Sequence, residues 1–401
     1  MLDTGDTAFM LVATALVMIM TPGLAFFYGG LVSRKNVLTI MMQSYVSMGV
    51  TTILWVTVGY SLCFSGGAGG IIGNLDLMFL KGIGINELYP KLDIPVLLFV
   101  VYQMMFAVIT PALITGAFAN RITFKAYLIF LVAWQLLVYF PFVHMIWGGG
   151  MLSEWGALDF AGGIVVHALA GMAALASVLY VGKRNVQDSG AHNVPFVALG
   201  AALLWFGWFG FNAGSALDVG GIAVLAFINT QIAAAFAAIT WLLLAWNYDG
   251  KPSFVEMLIG MIAGLATITP AAGFVSPQSA MIIGVAAGGV CYFAVVLGKK
   301  YELDDALDVW GVHGVGGALG IVMLGVLAST KVNANGADGL ISGSTDFFVA
   351  QVSALVLACI WAFAFTYGML WGIDNLTPVR VTEETERNLD ESLHGESAYT
   401  E

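Results

Sequence analysis

Two histidines, His167 and His313, stand inside long apolar stretches of this 401-residue chain, and each follows an aspartate by eight residues: Asp159 in DFAGGIVVH and Asp305 in DALDVWGVH. A neutral imidazole offers one hydrogen-bond donor and one acceptor, so a facing pair can hold a proton or hand a small amine along. Burial and like charge oppose protonating both rings at once. A narrow, otherwise apolar path past such a pair favours a small neutral hydrogen-bonding molecule over a hydrated ion. Other uses stay open on these residues alone. Each ring can simply bond a neighbouring helix, a common fate of a lone buried histidine that two rings with matching flanks make less apt. A metal centre would want three or four ligands, and no third histidine, carboxylate or suitable thiol accompanies the two. An enzyme using them as acid and base lacks a nucleophile.

The elements that must position these rings are membrane-spanning helices. Of all residues, 59% are hydrophobic and 10% charged, the balance of an integral membrane protein and not of two or three soluble domains. Apolar runs recur along the whole chain, most of them long enough to cross a hydrocarbon core of about 30 Å as helix. They lack the short alternating segments of a β-barrel. The pattern predicts an all-α protein of eleven transmembrane helices, over residues 7–32, 37–64, 94–118, 124–143, 159–181, 194–216, 221–247, 253–270, 278–298, 307–329 and 346–374. Residues 1–376 then form the transmembrane domain and 377–401 a tail. The first run lacks a basic leader and a cleavage-site pattern, so it reads as a span and not as a signal peptide. His144, His192 and His394 fall in loops or the tail. Cys63, Cys291 and Cys359 lie in or beside apolar runs, as packed free thiols do. The net charge of −11 includes many solvated acidic residues at the ends and in loops, such as Asp3, Asp6, Glu383 and Glu384, and says little about partners.

Basic residues are retained on the cytoplasmic side during insertion. An outside N-terminus leaves eleven of them inside, Arg34, Lys35, Arg121, Lys125, Lys183, Arg184, Lys251, Lys299, Lys300, Arg380 and Arg387, and only Lys81, Lys91 and Lys331 outside. The tail is then cytoplasmic. Helices 5 and 10 run in opposite directions, and their histidines descend from opposite faces by about 12 Å each, meeting near the midplane. Two five-helix halves of opposite orientation, plus one C-terminal helix, make a 5+5 inverted repeat. If Asp308 and not Asp305 starts helix 10, His313 lies nearer the cytoplasm. The helix 10 glycines Gly311, Gly314, Gly316, Gly317 and Gly320 let neighbouring backbones approach, a packing role that gives them no ligand contact.

Five segments carry a more specific signal: PGLAFFYGGL (22–31), IWGGGML (146–152), DFAGGIVVHALAG (159–171), WFGFNAGS (208–215) and DVWGVHG (308–314). In order, and from the first helix to the tenth, they resemble the signature segments of the Amt branch of the Amt/Mep/Rh ammonium transporter family. The resemblance implies ammonium or ammonia transport, with methylammonium as a related substrate, through one path in each subunit of a homotrimer in the cell inner (plasma) membrane. It implies an outer recruitment site at Trp147, Phe106 and Ser215, a gate of stacked rings at Phe106 and Phe211, and a pore lined by His167 and His313. An indole face attracts a cation and a hydroxyl oxygen accepts from N–H, which suits recruitment. On residue type alone Trp147 would more often be an interfacial anchor and Ser215 a helix-packing residue. Asp159 matches a family aspartate with a structural or electrostatic part, and its place also suits an N-cap.

The resemblance implies no cofactor and no enzymatic activity. It does imply a PII-type signalling protein at the cytoplasmic exit, contacted near the tail. Two positions depart from the family pattern. Tyr102 stands where phenylalanine is usual and puts a hydroxyl near the gate. The tail is a residue short and carries Asn388 where glycine is common; asparagine tolerates a left-handed backbone, so a similar turn is expected there. A disordered acidic tail is the alternative. The runner-up function is an ammonium receptor on the same fold.

Overall fold

The computed structural model describes residues 1–186 and 190–399. Among them eleven apolar helices alternate between two faces: α1 Thr4–Leu31, α2 Val37–Phe64, α3 Val96–Ile114, α4 Phe124–Glu154, α5 Gly163–Val181, α6 Val194–Ala216, α7 Gly221–Asp249, α8 Phe254–Ile268, α9 Pro277–Lys300, α10 Trp310–Leu327 and α11 Thr345–Asp374. All but α8 are long and apolar enough to cross a membrane unaided. Met1 and Tyr399, the first and last described residues, lie on different faces, so we refer to the N-terminal and C-terminal faces.

Boundaries differ from the sequence reading where a side chain or a glycine run intervenes. The Asp3 carboxylate accepts the Asp6 N–H at 2.9 Å and starts α1 earlier than predicted. α4 continues past residue 143 to Ile146 before Gly148, Gly149 and Gly150 interrupt it. His144 is therefore a buried helical residue and not a loop residue; its Nδ1 lies 3.0 Å from the Cys63 carbonyl. α5 and α10 begin later than predicted because their aspartates precede the first turn and bond to it. Both Asp159 oxygens together accept the N–H groups of Gly162, Gly163, Ile164 and Val165 at 2.6–3.1 Å, and Asp305 accepts that of Trp310 at 2.6 Å. Asp308 holds a left-handed backbone (φ 56) and stands outside the helix.

The two halves meet through corresponding members, α1 against α6 and α5 against α10. The second contact is the closest. A Cβ on Gly171 would lie 2.0 Å from the Gly314 Cα, and one on Gly317 would lie 2.8 Å from the Gly163 carbonyl oxygen. Each glycine that makes this possible, Gly171 or Gly317, sits four residues after a histidine, on the same face of its helix. At the other end of α5 the buried Arg121 donates to the Gly182 carbonyl at 2.7 Å, and Arg380 donates to that of Val181 at 2.7 Å. Two cations thereby close the negative end of the helix dipole.

The tail folds onto the C-terminal face as α12 Glu383–Glu386 and α13 Leu389–His394. The Asp390 carboxylate accepts the N–H groups of Leu38 and Thr39 at 3.0 and 2.8 Å, capping α2. Buried Glu386 accepts from Asn185 Nδ2 and from the Val186 N–H, both at 3.0 Å. Asn388 does not adopt the expected left-handed turn: its φ is −157°, and its amide donates to Glu391 at 2.8 Å. The left-handed residue is Gly395 (φ 67). Thr400 and Glu401, the end of the predicted tail, lie outside the described residues.

The α5–α10 crossing yields a prediction. Gly171→Ala forces backbone apart and should destabilise the protein by about 3 kcal/mol. Gly372→Ala in α11, where nothing lies within 4 Å of a new Cβ, should be neutral. Thermal unfolding in detergent checks the pair; equal melting temperatures would refute the close crossing.

Candidate functional site

A cavity of ≈ 430 Å³ opens on the N-terminal face and is lined in part by Phe106, Trp147, Asp159, Ser215 and Asp218. Trp147 stands where α4 breaks, and its indole N–H donates to the Asp159 backbone carbonyl at 2.8 Å. Its ring lies across that of Phe106, 5.9 Å between centroids and 83° between planes. Ser215 sits in the last turn of α6 and donates to the Phe211 carbonyl at 2.8 Å, leaving oxygen lone pairs for another donor. The Tyr102 hydroxyl lies 3.0 Å from the carbonyls of Gly210 and Phe211 and 3.2 Å from Ser215 Oγ. It is therefore engaged in holding the end of α6 and is not a free group in the cavity.

Phe106 and Phe211 close the floor, with centroids 4.4 Å apart and planes tilted by 40°. Both are buried. Beyond them lies an enclosed space of ≈ 20 Å³, lined mainly by apolar side chains such as Leu24, Ile109, Leu204 and Val312, and by His167 and His313. That is room for about one water molecule.

The histidine rings lie 5.2 Å apart at 16°, with Nδ1 of one 3.2 Å from Nδ1 of the other. One Nδ1 must carry the proton and the other accept it. The donor ring then has a bare Nε2, and the acceptor ring has a protonated one. The pair thus holds one acceptor and one donor at its outer nitrogens. Uptake of a proton at the bare Nε2, transfer of the shared proton to the other Nδ1 and loss of that ring's Nε2 proton exchange the two roles. His167 Nε2 has no protein partner. Trp208 stacks on His167 at 5.4 Å and 19°, and its own N–H is tied to Thr269 Oγ1 at 2.9 Å, so the ring is held flat from behind.

The profile of the Ammonium Transporter Family matches residues 8–399. The chain belongs to that family, on its Amt branch. It is 47% identical to the ammonium transporter of Bacillus subtilis (strain 168), over 99% of both chains. Its structure is similar to that of Saccharomyces cerevisiae Mep2, with a TM-score of 0.88, 34% identity, and coverage of 96% of this chain and 88% of that one. It is equally similar in shape, TM-score 0.88, to a solved sensor Amt protein, at 28% identity and 96% coverage of both. This protein is accordingly a membrane-embedded member of a family of ammonium transporters.

The seven residues singled out from the transporter's sequence all lie along one line from the N-terminal face inward. The sequence reading gave two groups no part in a site. Trp208 lies one helical turn before Phe211 in a quoted segment, and that spacing is the signal that puts both rings on one face. On the C-terminal side, Asp305 lines a second cavity of ≈ 450 Å³ with Lys183, Arg184, Lys299 and Asp308. One Asp305 oxygen is buried without a partner, and burial, then the neighbouring Asp308, push its carboxyl up to about 7.

Asp159 meets the description of a cap: its carboxylate takes every free N–H of the first turn of α5. Asp159→Ala leaves those groups buried and unpaired, and should cost about 3 kcal/mol or more. Asp159→Asn keeps one acceptor oxygen and should lose nearly as much. Melting temperature read beside ammonium uptake separates the two roles considered for this residue. An asparagine variant that melts like the wild type but no longer transports would give the charge a part beyond capping.

Proposed function

We propose that ammonium is captured from outside in the cavity of the N-terminal face, gives up its proton at the phenylalanine pair, and crosses as ammonia past His167 and His313. Trp147 and Phe106 offer π faces and Ser215 a hydroxyl oxygen to the cation. The observation that carries the reading is the change in surroundings along the line. A roomy, partly polar cavity of ≈ 430 Å³ gives way, behind two buried rings, to ≈ 20 Å³ of mainly apolar space with a hydrogen-bonding pair in it. Ammonium holds its proton tightly in water, but dehydration in such a constriction penalises the cation and favours the neutral form. The single proton shared by the imidazoles gives them a means to relay the released proton inward, so net charge can accompany ammonia.

The same reading puts the N-terminal face outside and the basic face in the cytoplasm, in a plasma (inner) membrane, with residues 1–376 as the conducting unit of a homotrimer. It makes the folded tail a regulatory surface for a PII-type protein. A sensing role on the same fold is the competing reading, kept open by the resemblance to a sensor Amt protein.

Proteoliposomes given an ammonium pulse test the proposal, with current and uptake recorded for the wild type, His167→Ala and His313→Ala. The wild type should show sustained uptake with a transient current, and each alanine variant should lose rate or selectivity by about tenfold, the equivalent of one lost hydrogen bond. Unchanged rate and selectivity in both variants would remove the pair from the mechanism. Binding of ammonium without uptake by the wild type would favour the sensor.

A further inference from the structure

Asp218 lies in the short connection between α6 and α7, on the wall of the ≈ 430 Å³ cavity and three residues after Ser215. Its place is fixed by backbone. Leu217 takes a left-handed conformation (φ 63) that turns the chain, and the Val219 N–H donates to Asp6 Oδ1 at 2.7 Å, tying the turn to the start of α1. Asp218 itself is exposed and makes no hydrogen bond or ion pair among the described residues. Partial burial and then the nearby Asp6 hold its carboxyl above the usual range, as expected of two carboxylates close together without a cation between them. The lysines of this face, Lys81, Lys91 and Lys331, stand in other loops, and none lines the cavity. The cavity's other carboxylate, Asp159, is taken up by backbone N–H groups.

A free negative charge at the mouth of a low-dielectric cleft focuses its field inward and concentrates monovalent cations there. We propose that Asp218 collects the cation: it raises the concentration of ammonium in the cavity and so sets the apparent affinity, without touching the transported molecule and without affecting turnover. This inference rests on the reading that ammonium enters by the N-terminal cavity. It adds a residue that lies outside the aromatic and hydroxyl groups assigned to recruitment. Asp218 discriminates by charge alone, favouring ammonium and methylammonium over neutral or anionic solutes.

Ammonium-jump recordings on proteoliposomes carrying Asp218→Asn, beside the wild type and Asp346→Asn, provide the test. Asp346 is exposed on the same face and does not line the cavity. At low ionic strength the half-saturating ammonium concentration of Asp218→Asn should rise about three- to tenfold, from one unit charge at short range in a partly aqueous site. Its maximal signal should be unchanged. Raising the salt to about 0.3 M should shrink the difference towards nothing, because screening then acts within a few ångströms. Asp6→Asn keeps an oxygen for the Val219 N–H and should shift in the same direction by less. Asp346→Asn should match the wild type. Equal half-saturation for Asp218→Asn and wild type at low salt, or a shift that salt does not diminish, would overturn the assignment. A wild type with no ammonium-dependent signal at all would instead overturn the transport reading, and this one with it.

Discussion

A helix that starts inside a membrane protein leaves its first N–H groups without partners in a place where water cannot supply them. In α5 the Asp159 carboxylate answers that constraint for the whole first turn, and most of the candidate path depends on the result. The depth of His167 is set by where the helix begins, and the indole of Trp147 is set by the carbonyl of the same aspartate. One residue therefore positions a wall of the cavity and, two turns further in, one member of the buried pair.

The opposing helix repeats the plan less completely. Asp305 accepts one N–H from the start of α10 and keeps a buried oxygen unpaired, while its neighbour Asp308 sits in a left-handed conformation. The two halves match in architecture but not in how tightly their broken helices are fastened. What brings the two rings together is backbone: Gly171 meets Gly314, and Gly317 meets the first turn of α5. Larger side chains there would separate the helices, and with them the imidazoles.

Much of this was legible in the sequence because membrane helices write a long apolar signal and because ionisable residues inside them are rare. The equal spacing of Asp159–His167 and Asp305–His313, on helices of opposite direction, is enough to place both rings at similar depth. Helix ends were less legible. Nothing in the local pattern distinguishes an aspartate inside the first turn from one just ahead of it, which is why α5 and α10 start later than the spacing predicts. His144 was misplaced because glycines at 148–150, not residue 143, end the helical run. The burial of Arg121, the engagement of the Tyr102 hydroxyl and the backbone shape at Asn388 depend on partners far away in the chain, and local sequence carries no trace of them.

The cramped interior behind the phenylalanines has a consequence for potassium, an ion of nearly the same girth as ammonium. A sieve built on diameter would struggle to tell them apart. On the route proposed above, a compartment too small for a hydration shell asks a different question, whether the guest can shed its charge by breaking a bond. Ammonium can, and an alkali metal, whose charge belongs to its nucleus, cannot.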